Sequence, residues 1–445
     1  MGSKLARALA TDEELVDWAI DARQRVMDLV ADLSDEEMMG PQLDIVNPLL
    51  WEIGHAAWFL EKFFLRSGGE PSVRADADSL WDSIAIAHDD RWELPLPGRA
   101  ETLQYLRDVR DRTVERIRKG DLSGEEISLL ALSIFHEDMH TEAFTYTRQT
   151  RGLAPPRFSD APDGPEPVGE AAFEAGPLHG DADVPGGTFL LGAAQDAPFV
   201  FDNEKWAHPV EVAPFRIARA PVTQADFAAF VDDGGYEDRD YWSEEGWEWR
   251  TSAAATEPVY WRRVRGRWQR RHFDRWLPLE PHRPVIHVNW FEANAWCRWA
   301  GRRLPTEAEW ELAASAEPAG KRRIGDRKRI YPWGDEPPTP ERANLDWRAM
   351  GCVDVAALPR GDSAFGCRQM IGNVWEWTSD TFGPFPGFVP GPYLEYSEPL
   401  FGNTKVLRGG CWATRSRHIR NGWRTYYGPE RRDVWCGFRT CATEA

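Results

Sequence analysis

Apolar residues recur at helical spacing through residues 11–150 and at no fixed spacing afterwards, and that one change divides what the chain can fold into. The early part reads as four amphipathic helices. The first opens with a capping box, Thr11 and Glu14, and carries the stripe Leu15, Trp18, Ala19, Ala22, Val26 and Val30. The second runs through NPLLWEIGHAAWFLEKFFLR, where Asn47 is placed to cap and Pro48 to take the first helical position. The third repeats Leu103, Leu106, Val109, Val114 and Ile117 and stops at Gly120. The fourth begins at a second capping box, Ser123 and Glu126, and closes at Gly152. Four helices of this length bury their stripes against one another, which predicts a four-helix bundle over residues 1–155.

The stretch GLAPPRFSDAPDGPEPVGEAAFEAGP is rich in Pro, Gly and acidic residues and has no period, so residues 156–183 read as a linker. Beyond it, short β-like runs such as GGTFLLG and HPVEVAPFRIAR alternate with Gly/Pro/Trp-rich loops. TQADFAAFVDDGG and WFEANAWCRWAGRRLPTEAEWELAAS are the helical pieces. The absence of a repeat period argues against a solenoid or propeller, and residues 184–445 are expected to form an α+β domain.

A length of 445 residues implies more than one core. The net charge of −19 argues against nucleic acid and anionic membranes as partners, because both select clustered Lys and Arg. No apolar run reaches the ~20 residues of a membrane-spanning helix. The opening MGSKLARALATDEELVDW lacks the apolar core of a secretory signal. Six cysteines are scattered without a C-x-x-C pair, which suits a reducing, cytoplasmic location. The 23 tryptophans are mostly packing, yet they also supply the material for an aromatic pocket that attracts a cation.

HEDMH, at His136 to His140, fits the H-E-x-x-H pattern in which two histidines one turn apart hold zinc and the glutamate acts as base. The downstream ligand such a protease needs is missing from TEAFTYTRQTRGLAPPRF. His55, flanked by Gly54, Ala56 and Ala57, lies midway along the second helix, where small neighbours permit close approach. A single histidine on an apolar helix face is usually a hydrogen-bonded core residue. Three on facing helices make a His₃ metal centre the better reading, and on ligand softness zinc, iron and copper remain equal.

The GHAAWF and HEDMHTEAF helices together resemble the DinB-like metal domain. VPGGTFLLG, FRIARAPVTQADFAAFV, RPVIHVNWFEANAWCRWAGRRLPTEAEWELAA, YPWGDE, GNVWEWTSD, VLRGGCWAT, RNGWRTYY and CGFR resemble, in order, the formylglycine-generating/sulfatase-modifying-factor fold, which is C-type-lectin-like. The combination resembles the ergothioneine-type sulfoxide synthases and their selenoneine-forming relatives. That resemblance implies Fe(II) on His55, His136 and His140, with O₂ as co-substrate. It implies a reaction joining C2 of the hercynine imidazole to a thiol or selenol donor. It also implies an aromatic pocket for the trimethylammonium group, with Trp412 among the substrate-binding candidates, and a proton-donating tyrosine, one of Tyr393, Tyr396, Tyr426 and Tyr427. Glu137 then becomes a carboxylate behind the ligands or on the helix surface. Copper-dependent generating enzymes use two cysteines after RGG, whereas this chain has only Cys411 there.

Three positions depart from the family pattern. Met139 stands where a substrate-contacting Gln precedes the last ligand histidine. AHDDRWELPLP keeps Arg91 but has His88 in place of a second arginine that would hold the carboxylates of γ-glutamylcysteine. An acid of the RNW region is replaced within RTYYGPE. Carboxylate recognition rests on bidentate arginine, so the loss of one, beside Asp89 and Asp90, suggests a less anionic donor such as cysteine or a selenosugar. Arg420, Arg424, Arg431 or Arg432 could instead compensate. Two further readings stand beside this one: a zinc-dependent hydrolase or thiol transferase, and a non-catalytic lectin-like binding module.

Overall fold

The computed structural model describes residues 6–159, 174–320 and 322–443. Part of the expected linker, residues 160–173, lies outside them. The chain divides into two compact units. The first is Met1–Pro165 together with two later stretches, Asp196–Phe201 and Gly391–Glu395; the second is Glu166–Gln195, Asp202–Pro390 and Tyr396–Ala445.

The first unit is built on four long helices: α1 (Asp12–Val30), α2 (Leu49–Leu60), α3 (Arg99–Arg118) and α4 (Gly124–Arg151). Both expected capping boxes form, at Thr11/Glu14 and Ser123/Glu126, and Gly152 takes the left-handed conformation that ends α4. The stripes meet as α1 packs on α3 and α4 and α2 packs on the same pair, burying Leu15, Val26, Ile53, Leu106, Ile117 and Leu130. A buried ion pair, Arg23–Glu137 at 3.0 Å, ties α1 to α4. Of the two places expected for Glu137, behind the ligands or on the helix surface, the surface is ruled out: it is 1% exposed and paired with a guanidinium.

The start of α2 also differs from expectation. Pro48 is the residue preceding the helix, and among the described residues no side chain caps it. Asn47 is diverted because its Oδ1 accepts a 2.6 Å hydrogen bond from Arg91, a cationic donor that a backbone amide does not match. At its other end α2 runs on into a π-helical turn, Glu61–Leu65. Two short helices, Asp35–Met39 and Ala77–Trp81, carry too few residues to show a period in the sequence.

Among the described residues, the second unit holds short strands in five sheets. β1 (Asp181–Val184), β4 (Phe215–Ala218), β15 (Cys441–Ala442) and β8 (Arg302–Arg303) form one, in the order β1-β4-β15-β8. β13 (Arg424–Tyr427), β12 (Lys405–Arg408), β11 (Trp375–Thr381) and β14 (Cys436–Gly437) form another, with β11 and β14 parallel. β2 (Gly187–Leu191) pairs with β3 (His208–Val212), and β9 (Ala316–Pro318) with β10 (Ile324–Lys328). β5 (Trp261–Val264), β6 (Arg267–His272) and β7 (Arg275–Pro278) make a three-stranded ribbon.

Helices α5 (Gln224–Asp232), α6 (Glu244–Ser252), α7 (Trp290–Trp299) and α8 (Glu307–Ser315) each start at a side-chain cap: Thr223, Ser243, Asn289 and Thr306. The long helical piece expected over WFEANAWCRWAGRRLPTEAEWELAAS is two helices, separated where Gly301 adopts φ +65° and β8 follows. Trp310, Leu312, Phe189, Ile217 and Cys441 share one core cluster. Buried arginines brace the loops: Arg408 and Arg424 both donate to Glu307 on α8, and Arg439 to Glu376 on β11. Among the described residues no helix is long and apolar enough to cross a membrane.

Candidate metal centre

His55 projects from α2, and His136 and His140 from one face of α4, one turn apart. Their ligating nitrogens all lie within 4.8 Å of one another, and among the described residues this is the group of three or more such side chains that could hold an ion. The approach depends on Gly54. A Cβ there would stand 2.1 Å from the Trp81 indole nitrogen, so only glycine lets Trp81 lie against α2. That packing brings the Trp81 carbonyl within 2.9 Å of His55 Nδ1. On α4, His140 Nδ1 lies 2.7 Å from Glu52 Oε1. Both partners are acceptors, so each Nδ1 carries the proton and each Nε2 presents its lone pair inward.

The donor set fits a divalent first-row metal. His136 Nε2 and His140 Nε2 face each other at 3.2 Å. Two ligands at roughly 2.1 Å from one ion and about 100° apart would show that separation. Burial holds His55 and His136 well below the ordinary imidazole range, and the neighbouring His140 adds to it, so both are neutral and able to ligate at physiological pH.

Aromatic rings surround the ligands. Trp51 stacks on His55 at 4.9 Å and 9°, and the Arg91 guanidinium covers Trp51 at 4.0 Å. Phe59 lies face to face with His136 at 3.6 Å and 12°, and Phe63 continues the column at 4.2 Å from Phe59. Tyr393, on the late stretch that belongs to this unit, meets His136 edge-on at 5.5 Å and Phe59 at 4.9 Å. Burial pushes its phenol up to about 12, with a hydrogen bond to the Ser83 side chain opposing the shift, so Tyr393 keeps its proton near neutrality.

The other tyrosine candidates belong to the second unit. Tyr396 is half-buried 6.0 Å from Tyr426, whose ring stacks on Phe382 at 4.0 Å, and Tyr427 ends β13 beneath the Arg431 guanidinium. Trp412 is fully buried against Trp435 at 4.7 Å, and Arg420 pairs with the buried Glu204. In the first unit His88 is engaged at both nitrogens, by the Val46 carbonyl at 3.0 Å and Asp89 at 3.1 Å, and Met139 sits half-buried on α4 beside His140.

Sequence reasoning missed Glu52, Trp81, Phe59 and Ser83. Glu52 had a visible signal, as the one acid in LLWEIGHAAWFL, three residues before His55. The other three had none.

Residues 20–144 match the DinB superfamily, and residues 171–444 match the sulfatase-modifying factor enzyme 1-like domain. Over almost its whole length the chain is similar to two mycobacterial proteins. Hercynine oxygenase of Mycolicibacterium thermoresistibile is 38% identical over 438 residues, 96% of this chain and 94% of that protein. Hercynine oxygenase of Mycobacterium tuberculosis is 38% identical over 436 residues, 97% and 99% of the two chains. Formylglycine-generating enzyme of Streptomyces coelicolor is 34% identical and spans 63% of this chain and 96% of its own length.

Proposed function

The chain belongs to the hercynine oxygenase family, and from that premise we propose that it joins C2 of the hercynine imidazole to a thiol or selenol donor, using Fe(II) and O₂. The observation that carries the metal part is the convergence of three imidazoles whose outer nitrogens do not compete for the ion. When bound there, iron supplies the one-electron chemistry with oxygen and favours the deprotonated donor thiol or selenol.

The protein's own residues do the rest. Glu52 and the Trp81 carbonyl fix two imidazole tautomers. Trp51, Phe59 and Phe63 line the centre with apolar surface that excludes water. Tyr393 is the proton donor in this reading. Its edge-on position beside His136 supports that role over the three tyrosines of the second unit, and its retained proton at Oη makes it able to serve. The surplus of tryptophan suits a trimethylammonium group. A cytoplasmic location agrees with six cysteines that are all buried and, among the described residues, in no disulfide.

The zinc-hydrolase alternative needs Glu137 as a free base, and Glu137 is spent on Arg23. The donor is of the less anionic kind, cysteine or a selenosugar. Arg91 keeps its charge beside the neutral Asn47 and Trp51, but His88, in the place of the second arginine, is engaged by the Val46 carbonyl and Asp89, so one guanidinium rather than two is left for the donor's carboxylates.

The test is incubation of the full chain with Fe(II), hercynine and air against γ-glutamylcysteine, cysteine and a selenosugar, read by mass spectrometry. A coupled product with cysteine or the selenosugar is expected, at least ~10-fold slower in Tyr393→Phe and unaffected in Tyr427→Phe. Faster turnover with γ-glutamylcysteine overturns the donor assignment. Oxygen-independent hydrolysis with zinc, and no coupled product, overturns the whole reading.

A further inference from the structure

Two of the three imidazoles are held by hydrogen bonds at Nδ1 and the third is not. His136 is 3% exposed, yet among the described residues its Nδ1 meets no hydrogen-bond partner. Metal-ligating histidines normally have that nitrogen fixed, because the ring otherwise turns about its Cβ–Cγ bond and carries the ligand atom off the metal. What touches the His136 ring is Phe59, 3.6 Å away and within 12° of parallel. Phe59 is itself backed by Phe63 at 4.2 Å, and the edge of Tyr393 runs along the column, 5.5 Å from His136, 4.9 Å from Phe59 and 6.1 Å from Phe63.

We infer that Phe59 is a positioning residue for His136: its ring face, braced by Phe63, sets the imidazole plane that Glu52 and the Trp81 carbonyl set for the other two ligands. The chain's own geometry makes this possible. Phe59 sits one turn beyond His55 on α2, so the helix that delivers one ligand also delivers the plate against which another rests. The π-helical turn that begins at Glu61 carries Phe63 onto the far side of Phe59. Tyr393 shares the column, so the same plate fixes the distance between the phenol and the ligand ring.

The inference rests on the His₃ metal reading, and the experiment separates the two. Full-length protein is titrated with Co(II), and anaerobically with Fe(II), by chelator competition, and the Co(II) visible spectrum is recorded. Phe59→Leu keeps apolar volume but removes the ring face; Phe59→Tyr keeps the face. The leucine variant is expected to bind either ion about 10-fold more weakly, the low end for loss of an outer partner of a ligand, with an altered Co(II) spectrum. The tyrosine variant is expected to restore both.

Leucine and wild-type proteins with affinities within twofold and superimposable spectra overturn the inference. So does a tyrosine variant as impaired as the leucine one. Should Phe59→Leu fail to fold by circular dichroism, Phe63→Leu is read in its place. It removes the brace alone, so a changed Co(II) spectrum supports the inference and an unchanged one overturns it. If wild type binds neither ion, or His140→Ala binds as tightly as wild type, it is the metal centre that fails.

Discussion

Gly54 shows how much of the centre depends on a single missing carbon. In Gly54→Ala the new Cβ collides with the Trp81 indole, and relief requires Trp81 to back away and take its carbonyl from His55. The variant should lose about 1–3 kcal/mol of stability in urea titrations, as overpacked sites do. It should also release metal to a chelator at least ~10-fold more readily than wild type. His287, in the second unit, makes a different prediction. Burial, with Arg270 and Arg271 adding positive charge, holds it down to about 3, against 6.5 for the unfolded chain. The unfolded state therefore takes up a proton that the folded state refuses. Stability is intact above pH ~6.5 and falls as the pH drops towards 3, by about 2–3 kcal/mol at pH 4.5. His287 has φ +63°, which asparagine tolerates, so His287→Asn should flatten that acid limb in denaturant midpoints measured at pH 7 and 4.5. At this scale the three histidines that converge were legible because i, i+4 spacing and flanking small residues are written locally. Glu52 facing His140 and Trp81 facing His55 are consequences of packing between helices, which no local pattern records.

At the scale of elements, capping was the most readable feature, since a Ser or Thr and a Glu three residues apart need only each other. Thr11/Glu14 and Ser123/Glu126 formed as read. Asn47 did not cap, because a distant arginine competed for its side chain. The run from Trp290 to Ser315 kept helical character on both sides of a break that one left-handed glycine imposes. The Arg23–Glu137 pair is a further feature of this kind, invisible as a pattern, that ties α1 to α4. Glu137→Leu leaves a buried guanidinium unpaired and should cost about 3–5 kcal/mol in chemical denaturation. Arg23→Leu/Glu137→Leu should recover much of that, because both desolvation penalties are then removed. A double variant no more stable than the single would contradict the pairing.

For the whole molecule, the division into bundle and α+β domain was readable from the loss of helical period and from motif stretches in fixed order. The assignment of Gly391–Glu395 to the first unit was not, since nothing local distinguishes a loop that stays with its neighbours from one that leaves them. Two units with separate cores should unfold in separable calorimetric steps. Metal at a hundredfold excess over its dissociation constant should stabilise the step of the histidine-bearing unit by about 2.7 kcal/mol and leave the other where it is. In His140→Ala neither step should respond. The three-part composition of the first unit has one more consequence. His55, His136 and Tyr393 come from distant parts of the sequence, so no uninterrupted fragment shorter than most of the protein contains the whole inner wall. Recombination could exchange the bundle for another only by forfeiting the tyrosine, and for a lineage carrying this arrangement the two halves are inherited together or not at all.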